Sequence, residues 1–269
     1  MVLLLGEKPI SNKALSLAKH ILKNWRQWQA SFHSEPQIIE QLEGGLTNTN
    51  YLIESGCERA VLRLNNSDAY KLGVDRQTEI TILKQLQSTD LVPRIYYADS
   101  SILVSEYIDG CAIEAGKTLN PTIKQQIKLA LDVIQKQDFT DLEVRNYEAY
   151  CRGYISQLSA SCLSASIKQK IFQIAQQIDA EDWSPVLCHH DLIPENIIQG
   201  ANGLFIIDWE YASLGHPQFD YLRILNGEQT GNILQIFQAI MDQLWYAIRY
   251  PQLQLKVQQK LINIIEKGS

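Results

Sequence analysis

Between residues 186 and 209 a polar octapeptide is caught between two apolar stretches, and no other feature limits the chain so tightly. The octapeptide is His189-His190-Asp191-Leu192-Ile193-Pro194-Glu195-Asn196. Val186-Leu187-Cys188 leads into it, and Leu204-Phe205-Ile206-Ile207 follows the turn Gly200-Ala201-Asn202-Gly203. Asp208 ends the second apolar stretch. The pattern is a carboxylate, an amide five residues later and a second carboxylate twelve residues after that. A hairpin through the Gly-bearing turn returns Asp208 to the neighbourhood of Asn196. Asp191 is then free to accept a hydroxyl proton while two oxygen ligands face a hard cation. Mg²⁺ suits that donor set, because it takes few protein oxygens and fills its other positions with phosphate and water. A zinc site over Cys188, His189, His190 and Asp191 does not fit. Four adjacent residues cannot converge on one ion, and the chain has no CxxC or HxxxH partner cluster.

Around this segment the chain changes character once. Ser11 reads as the N-cap of a helix over about 12–29, where Ala14, Leu15, Leu17, Ala18, Ile21, Leu22 and Trp25 recur at helical spacing. Short extended stretches follow near 36–43, 49–54 and 59–64, joined by Gly44-Gly45-Leu46-Thr47-Asn48 and Glu54-Ser55-Gly56-Cys57, connections short enough for antiparallel hairpins. A helix over about 74–88 and extended pieces at 94–98 and 101–108 complete the first part. From Pro121 the periodicity is helical, over about 121–136, 143–159, 165–180, 229–248 and 252–267. A strand-rich front over 1–108 and a helix-rich back over 109–269 make an α+β molecule with two lobes.

Composition removes several classes. With 24 basic against 30 acidic side chains the net charge is −6, which argues against the clustered Lys and Arg of a nucleic-acid footprint. No stretch approaches the roughly 18 apolar residues of a membrane span. Met1-Val2-Leu3-Leu4-Leu5-Gly6 is too short for a secretory signal. The 5 cysteines are odd in number and scattered, so a reduced, cytoplasmic chain is expected.

His189 to Asn196, followed by a strand ending Ile207-Asp208-Trp209-Glu210, resembles the phosphotransferase branch of the protein-kinase-like fold, the aminoglycoside and choline kinase superfamily. The run Ile206 to Ser213 and the loop Gly44-Gly45-Leu46-Thr47-Asn48 are most similar to bacterial choline kinases, and the likeness spans roughly residues 38 to 250. The resemblance implies a bilobal α+β fold with a small antiparallel-sheet N-lobe, a mainly helical C-lobe, and ATP with Mg²⁺ as cofactors. It implies Asp191 as the catalytic acceptor of the substrate hydroxyl proton, with Asn196 and Asp208 as metal ligands. Gly45, Thr47, Asn48 and Thr49 would meet the nucleotide phosphates. Arg63, in Ala60-Val61-Leu62-Arg63-Leu64, would stand where protein kinases place a lysine, with Glu79 as its ion-pair partner and Asp75 as the other acidic candidate. Glu106 and Ile108 would meet adenine through their backbone. His189 and Asp220 would be structural, the first bonding backbone near Asp208 and the second bracing the catalytic loop.

The acceptor implied is a small cationic alcohol. Choline has no N–H to bond, so aromatic faces and carboxylates must hold it, at about 0.5–2 kcal/mol per aromatic contact. Trp209, Trp245 and Glu210 are the leading candidates. Tyr211, Tyr246, Tyr250 and Asp220 also lie in the relevant segments, Tyr246 and Tyr250 fitting a core or surface role better. Trp245 is equally readable as the core of an amphipathic helix, and Glu210 as a second metal ligand or a surface salt-bridge partner. Ethanolamine and thiamine kinases are alternatives of the same architecture. Aminoglycoside kinases fit less well because the last third of the chain is not notably acidic. Neither a DFG nor an APE segment speaks for a protein kinase. A nucleotide-binding protein acting by docking a partner is the non-enzymatic alternative. Oligomeric state leaves no trace in the sequence.

Overall fold

A computed structural model describes residues 12–42, 47–139, 141–225 and 232–268. Two expectations, the Ser11 cap and the Gly45 phosphate contact, lie outside those residues. The chain forms two compact units, Met1–Ala69 with Val92–Asp109 and Tyr70–Leu91 with Gly110–Ser269.

In the first unit α1 (Asn12–Leu22) is followed by a five-stranded antiparallel sheet in the order β1-β2-β3-β5-β4, from β1 (Gln37–Leu42), β2 (Thr49–Ser55), β3 (Glu58–Leu64), β4 (Ile95–Ala98) and β5 (Ile102–Glu106). Tyr51 and Ile53, then Ala60, Leu62 and Leu64, then Ile102 and Val104 alternate along their strands and so share one face. Ala18, Leu22, Trp28 and Phe32 pack over that face. The β2–β3 connection is tight because Gly56 adopts φ 66, which a side chain would disfavour. The helix expected to reach residue 29 ends at Leu22; a separate 3₁₀ turn at Trp25–Gln27 then brings Trp28 onto the sheet.

The second unit contains α2 (Arg76–Leu86), β6 (Gly110–Ala112), α3 (Pro121–Ile134), α4 (Tyr147–Ser156), α5 (Ala165–Ala180), β7 (Val186–Cys188), β8 (Ile197–Gly200), β9 (Gly203–Ile206), β10 (Ser213–Gly215), α6 (Phe219–Ile224), α7 (Ile233–Arg249) and α8 (Gln254–Gly268). Residues 70–91, expected in the front lobe, group with this unit. Their contacts explain it: Gln85 donates to the Asp138 carbonyl, and the Leu91 carbonyl accepts from Ile206 N at 2.7 Å. Polar side chains set the helix starts, with Asp75, Asn120, Asn146, Ser164 and Asn232 each accepting a first-turn N–H. Asn146 thus starts α4 later than the sequence suggests. Buried Ile167, Ile171, Ala175 and Ile178 line one face of α5, while Leu234, Phe237, Ile240, Met241, Leu244 and Ala247 do the same for α7. Strands β6, β8 and β9 form one small sheet; β7 and β10 form another. Among the described residues no helix is long and apolar enough to cross a membrane.

Candidate active site

The polar octapeptide leaves β7 under restraint. Asp220, fully buried in the first turn of α6, accepts His189 N–H at 2.7 Å and His190 N–H at 3.1 Å. Burial pushes the Asp220 carboxyl up to about 6, and the two N–H groups pull the other way. His190 takes φ 63, a left-handed conformation that costs an ordinary residue about 1–2 kcal/mol. Its ring is held by Ser213 Oγ at 3.2 Å, Tyr147 Oη at 3.4 Å and the Phe219 ring at 4.7 Å. Gly215 permits this closeness, since a Cβ there would lie 2.6 Å from His190 Nε2.

His189 is buried and has both ring nitrogens engaged: Nδ1 accepts Asp191 N–H at 3.2 Å, so Nε2 carries the proton and donates to the Ile207 carbonyl at 2.9 Å. Burial lowers its pKa to about 4, keeping it neutral. Cys188 turns elsewhere, its thiol donating to the His216 carbonyl at 3.3 Å. Among the described residues no group of three or more His, Cys, Asp or Glu has the geometry to hold a metal ion.

The β8–β9 hairpin places Asp208 one residue beyond the neighbour of Asn196. Ile197 pairs with Ile206, and just outside that pair Ile207 N–H donates to the Asn196 carbonyl at 2.9 Å. Asn196 Nδ2 donates to the Asp191 carbonyl at 2.9 Å, which leaves its amide oxygen for another partner. Asp208 adopts φ 64, ψ 58 and reverses the chain as it leaves β9. One amide oxygen beside a carboxylate is a hard-oxygen donor set, and it fits Mg²⁺.

Asp191 keeps 32% of its side chain exposed, and Arg223 Nη2 donates to its Oδ1 at 3.1 Å. Crowding by protein pushes its pKa up to about 7; Arg223 opposes that shift and Asp242 adds to it. Arg223 also grips Asp242 twice, Nη2 to Oδ1 at 3.0 Å and Nη1 to Oδ2 at 3.3 Å. Neither Arg223 nor Asp242 stands in a motif that gives it a role.

The acceptor candidates divide. Trp209 is 1% exposed, its indole N–H donates to the Ile206 carbonyl at 2.9 Å, and its ring lies 4.7 Å from His189. It is a core residue, which corrects the expectation that it meets a substrate: the left-handed turn at Asp208 swings it inward. Glu210 is buried too, and Arg76 Nη2 reaches its Oε2 at 3.0 Å while Arg76 Nη1 reaches Glu79 Oε2 at 2.7 Å. Glu210 thus sits in a buried ion pair and not in the surface salt bridge that its sequence position allowed, and the same Arg76 also bonds Glu79. Trp245 is half-buried, donates to Tyr211 Oη at 3.0 Å and meets Tyr246 edge-on at 5.2 Å. Tyr246 is 41% exposed; its phenol is raised by burial first, then by Asp242, Tyr250, Asp191 and Glu195. That field marks it as a neighbour of the carboxylates around Asp191.

In the first unit Arg63 is buried, its Nε donating to Asn65 Oδ1 at 2.9 Å. Asn48 is buried and accepts Asn66 N–H at 3.2 Å; Thr47 is half-buried beside it, and Thr49 opens β2. Glu106 ends β5, its N–H donating to the Arg94 carbonyl at 2.8 Å, and half-buried Ile108 lies two residues beyond.

The polar loop thus lies between two small sheets, with the Asp191 side chain partly exposed and with Asn196 and Asp208 at the mouth of the β8–β9 hairpin. The phosphotransferase enzyme family model matches residues 38–239, and the chain belongs to that family. Protein LicA of Haemophilus influenzae is 26% identical over 204 residues, covering 68% of this chain and 56% of LicA, so the chain spans little more than half of that relative. Human ethanolamine kinase 2 is 24% identical over 257 residues, covering 90% of this chain and 62% of the relative. The crystal structure of choline kinase LicA from Streptococcus pneumoniae superposes with a TM-score of 0.72 at 20% identity, over 95% of this chain and 99% of that one. The fold is therefore the kinase-like α+β fold.

Proposed function

We propose that the chain is an ATP- and Mg²⁺-dependent kinase that phosphorylates the hydroxyl of a small cationic alcohol, choline or ethanolamine. One observation carries the reading. The hairpin bonds Asn196 to Ile207, next to Asp208, while Asn196 Nδ2 ties the backbone of Asp191, so the residues that would bind the cation and the one that would accept the proton share one hydrogen-bonded loop. A bound magnesium nucleotide would supply the phosphoryl group and neutralise its charge. Asp191 would orient the acceptor hydroxyl and take its proton, while Asn196 and Asp208 would hold the metal. Thr47, Asn48, Thr49 and Arg63 would meet phosphates, and Glu106 with Ile108 the adenine. LicA has been crystallised with AMP, which supports a nucleotide at this fold.

The cationic class is supported by the carboxylates of Asp191 and Asp242 beside Trp245 and Tyr246, an anionic and aromatic surround suited to a quaternary or primary ammonium. Relatives include ethanolamine kinases and a choline kinase, which favours the same two acceptors. The test is ADP release from ATP, with and without Mg²⁺, across choline, ethanolamine, thiamine and kanamycin. Turnover on choline or ethanolamine that vanishes without the metal is expected. Turnover on thiamine alone would replace the acceptor and keep the chemistry; nucleotide binding with no turnover would support a docking protein.

A further inference from the structure

Arg223 is a buried cation that the motif chemistry does not call for. It rises from α6 three residues after Asp220, so one short helix carries both the carboxylate that grips the loop backbone and the guanidinium that reaches the loop's exposed aspartate. Its side chain is 14% exposed. Asp242, on α7, holds the guanidinium with both carboxylate oxygens, which fixes its plane as well as its position. Nη2 is shared, its second contact being Asp191 Oδ1 at 3.1 Å. The buried Nε has no hydrogen-bond partner among the described residues. A guanidinium serving only as a stabilising ion pair gains by turning to satisfy that N–H. Here the fork is instead aimed so that Nη2 reaches across to Asp191.

We infer that Arg223, aimed by Asp242, is a positioning residue for phosphoryl transfer: it pins Oδ1 of Asp191 and turns Oδ2 toward the acceptor hydroxyl. The inference rests on the kinase reading above. A carboxylate held by one backbone and one loop rotates about its terminal bond, and either oxygen can then face the substrate. Pinning one oxygen removes that freedom. The effect belongs to orientation in the ternary complex, so it acts on kcat rather than on binding of nucleotide or acceptor, and misplacement on this scale lowers turnover by about 10²-fold.

The experiment measures ADP release by the wild type, Arg223→Lys, Arg223→Ala and Asp242→Asn over the acceptor panel, with ADP affinity and melting temperature recorded for each. Lys keeps the charge and loses the fork, so kcat is expected to fall about 10²-fold, with acceptor KM and ADP affinity changed less than about threefold. Guanidinium ion added to Arg223→Ala is expected to restore part of kcat, and ammonium at equal concentration is not. Asp242→Asn, which keeps one acceptor oxygen, is expected to lose less kcat than Arg223→Lys and, because it also removes a charge from the acceptor surround, to raise acceptor KM as well. A folded Arg223→Lys with at least half the wild-type kcat overturns the inference, as does a loss confined to acceptor KM. Should both Arg223 variants fail to fold, an unchanged kcat in Asp242→Asn overturns it. A wild type that turns over no acceptor overturns the kinase reading and this inference together; an active wild type with unaffected variants overturns this inference alone.

Discussion

Replacing Asp191 with Asn is the most direct test of the proposed chemistry, because the structure lets the loss of a base be separated from loss of shape. Asn has the same size, and its Oδ1 can still accept from Arg223 Nη2, now 3.1 Å from the carboxylate. Arg223 keeps its two bonds to Asp242, so no buried cation is stranded. The Asn196 bond goes to the backbone carbonyl of residue 191, which the change leaves alone. What disappears is the capacity of the side chain to take a proton. A positioned base contributes typically 10²–10⁴-fold, or about 2.7–5.4 kcal/mol at 1.36 kcal/mol per decade. Phosphoryl transfer depends mostly on alignment and charge neutralisation, so the loss belongs toward the lower end of that range. ADP release at saturating ATP and acceptor measures it, with calorimetric ADP binding expected within about twofold of wild type as the control. Stability is expected not to fall at pH 8, since crowding already pushes the carboxyl up to about 7 and a neutral amide relieves the burial of charge. A folded variant that retains more than about a tenth of wild-type turnover refutes the assignment of Asp191 as base.

Two further changes probe the scaffold. Arg76→Met leaves Glu79 and Glu210, each with side chains 2% exposed, without the cation that bridges them, and is expected to cost about 3–5 kcal/mol in urea unfolding at pH 7; a loss under about 1 kcal/mol means that other groups, rather than Arg76, satisfy those carboxylates. For His189 the folded pKa of about 4 lies below the ordinary 6.5, so its contribution is complete above 6.5 and is lost as pH falls through 4, because only the unfolded chain takes the proton in between. Asp191 and Asp220, both raised, act in the opposite sense, so the comparison must be with His189→Gln, which cannot titrate: wild type is expected to lose about 1.4 kcal/mol per pH unit relative to the variant below pH 6.5, and equal slopes in urea unfolding would show that the ring is not buried neutral.

What the sequence made legible was local. Asn196 and Asp208 are joined by a hairpin whose short turn is visible in Gly200-Ala201-Asn202-Gly203, and a strand pair transmits register without ambiguity. The helix over 165–180 was legible from its apolar period alone, which Ile167, Ile171, Ala175 and Ile178 carry. Trp209 was not, because strand alternation stops at Asp208. A left-handed residue there reverses the path, and nothing in an Asp-Trp pair announces φ 64. Strands β6 and β10 have 3 residues each, too few to show a period. Arg76, Arg223 and Asp242 lie on three separate helices, and their pairings depend on how those helices pack. Arg76 could have been suspected, since it stands at i,i+3 from Glu79 at a helix start, a spacing that favours ion pairs.

The strained positions show why α6 matters more than its 6 residues suggest. His190 and Asp208 are both left-handed without being glycine, one beside the aspartate and the other at the hairpin mouth. Each conformation costs about 1–2 kcal/mol, so the surroundings must impose it. At His190 the imposing groups are Asp220, which takes the N–H of His190 and of its neighbour, and Phe219, whose ring packs on the imidazole; both sit in the first turn of α6. At Asp208 the strain is bounded by Ile207, whose N–H and carbonyl are bonded to Asn196 and His189 within the loop itself. The two distortions are thus coupled through His189, which receives the Asp191 N–H on one nitrogen and reaches Ile207 with the other. Asp220 holds the same histidine by its backbone. A helix of less than two turns therefore holds the path of the loop through Asp220 and the Asp191 carboxylate through Arg223, and a change in its packing reaches the proposed metal pair and the proposed base together.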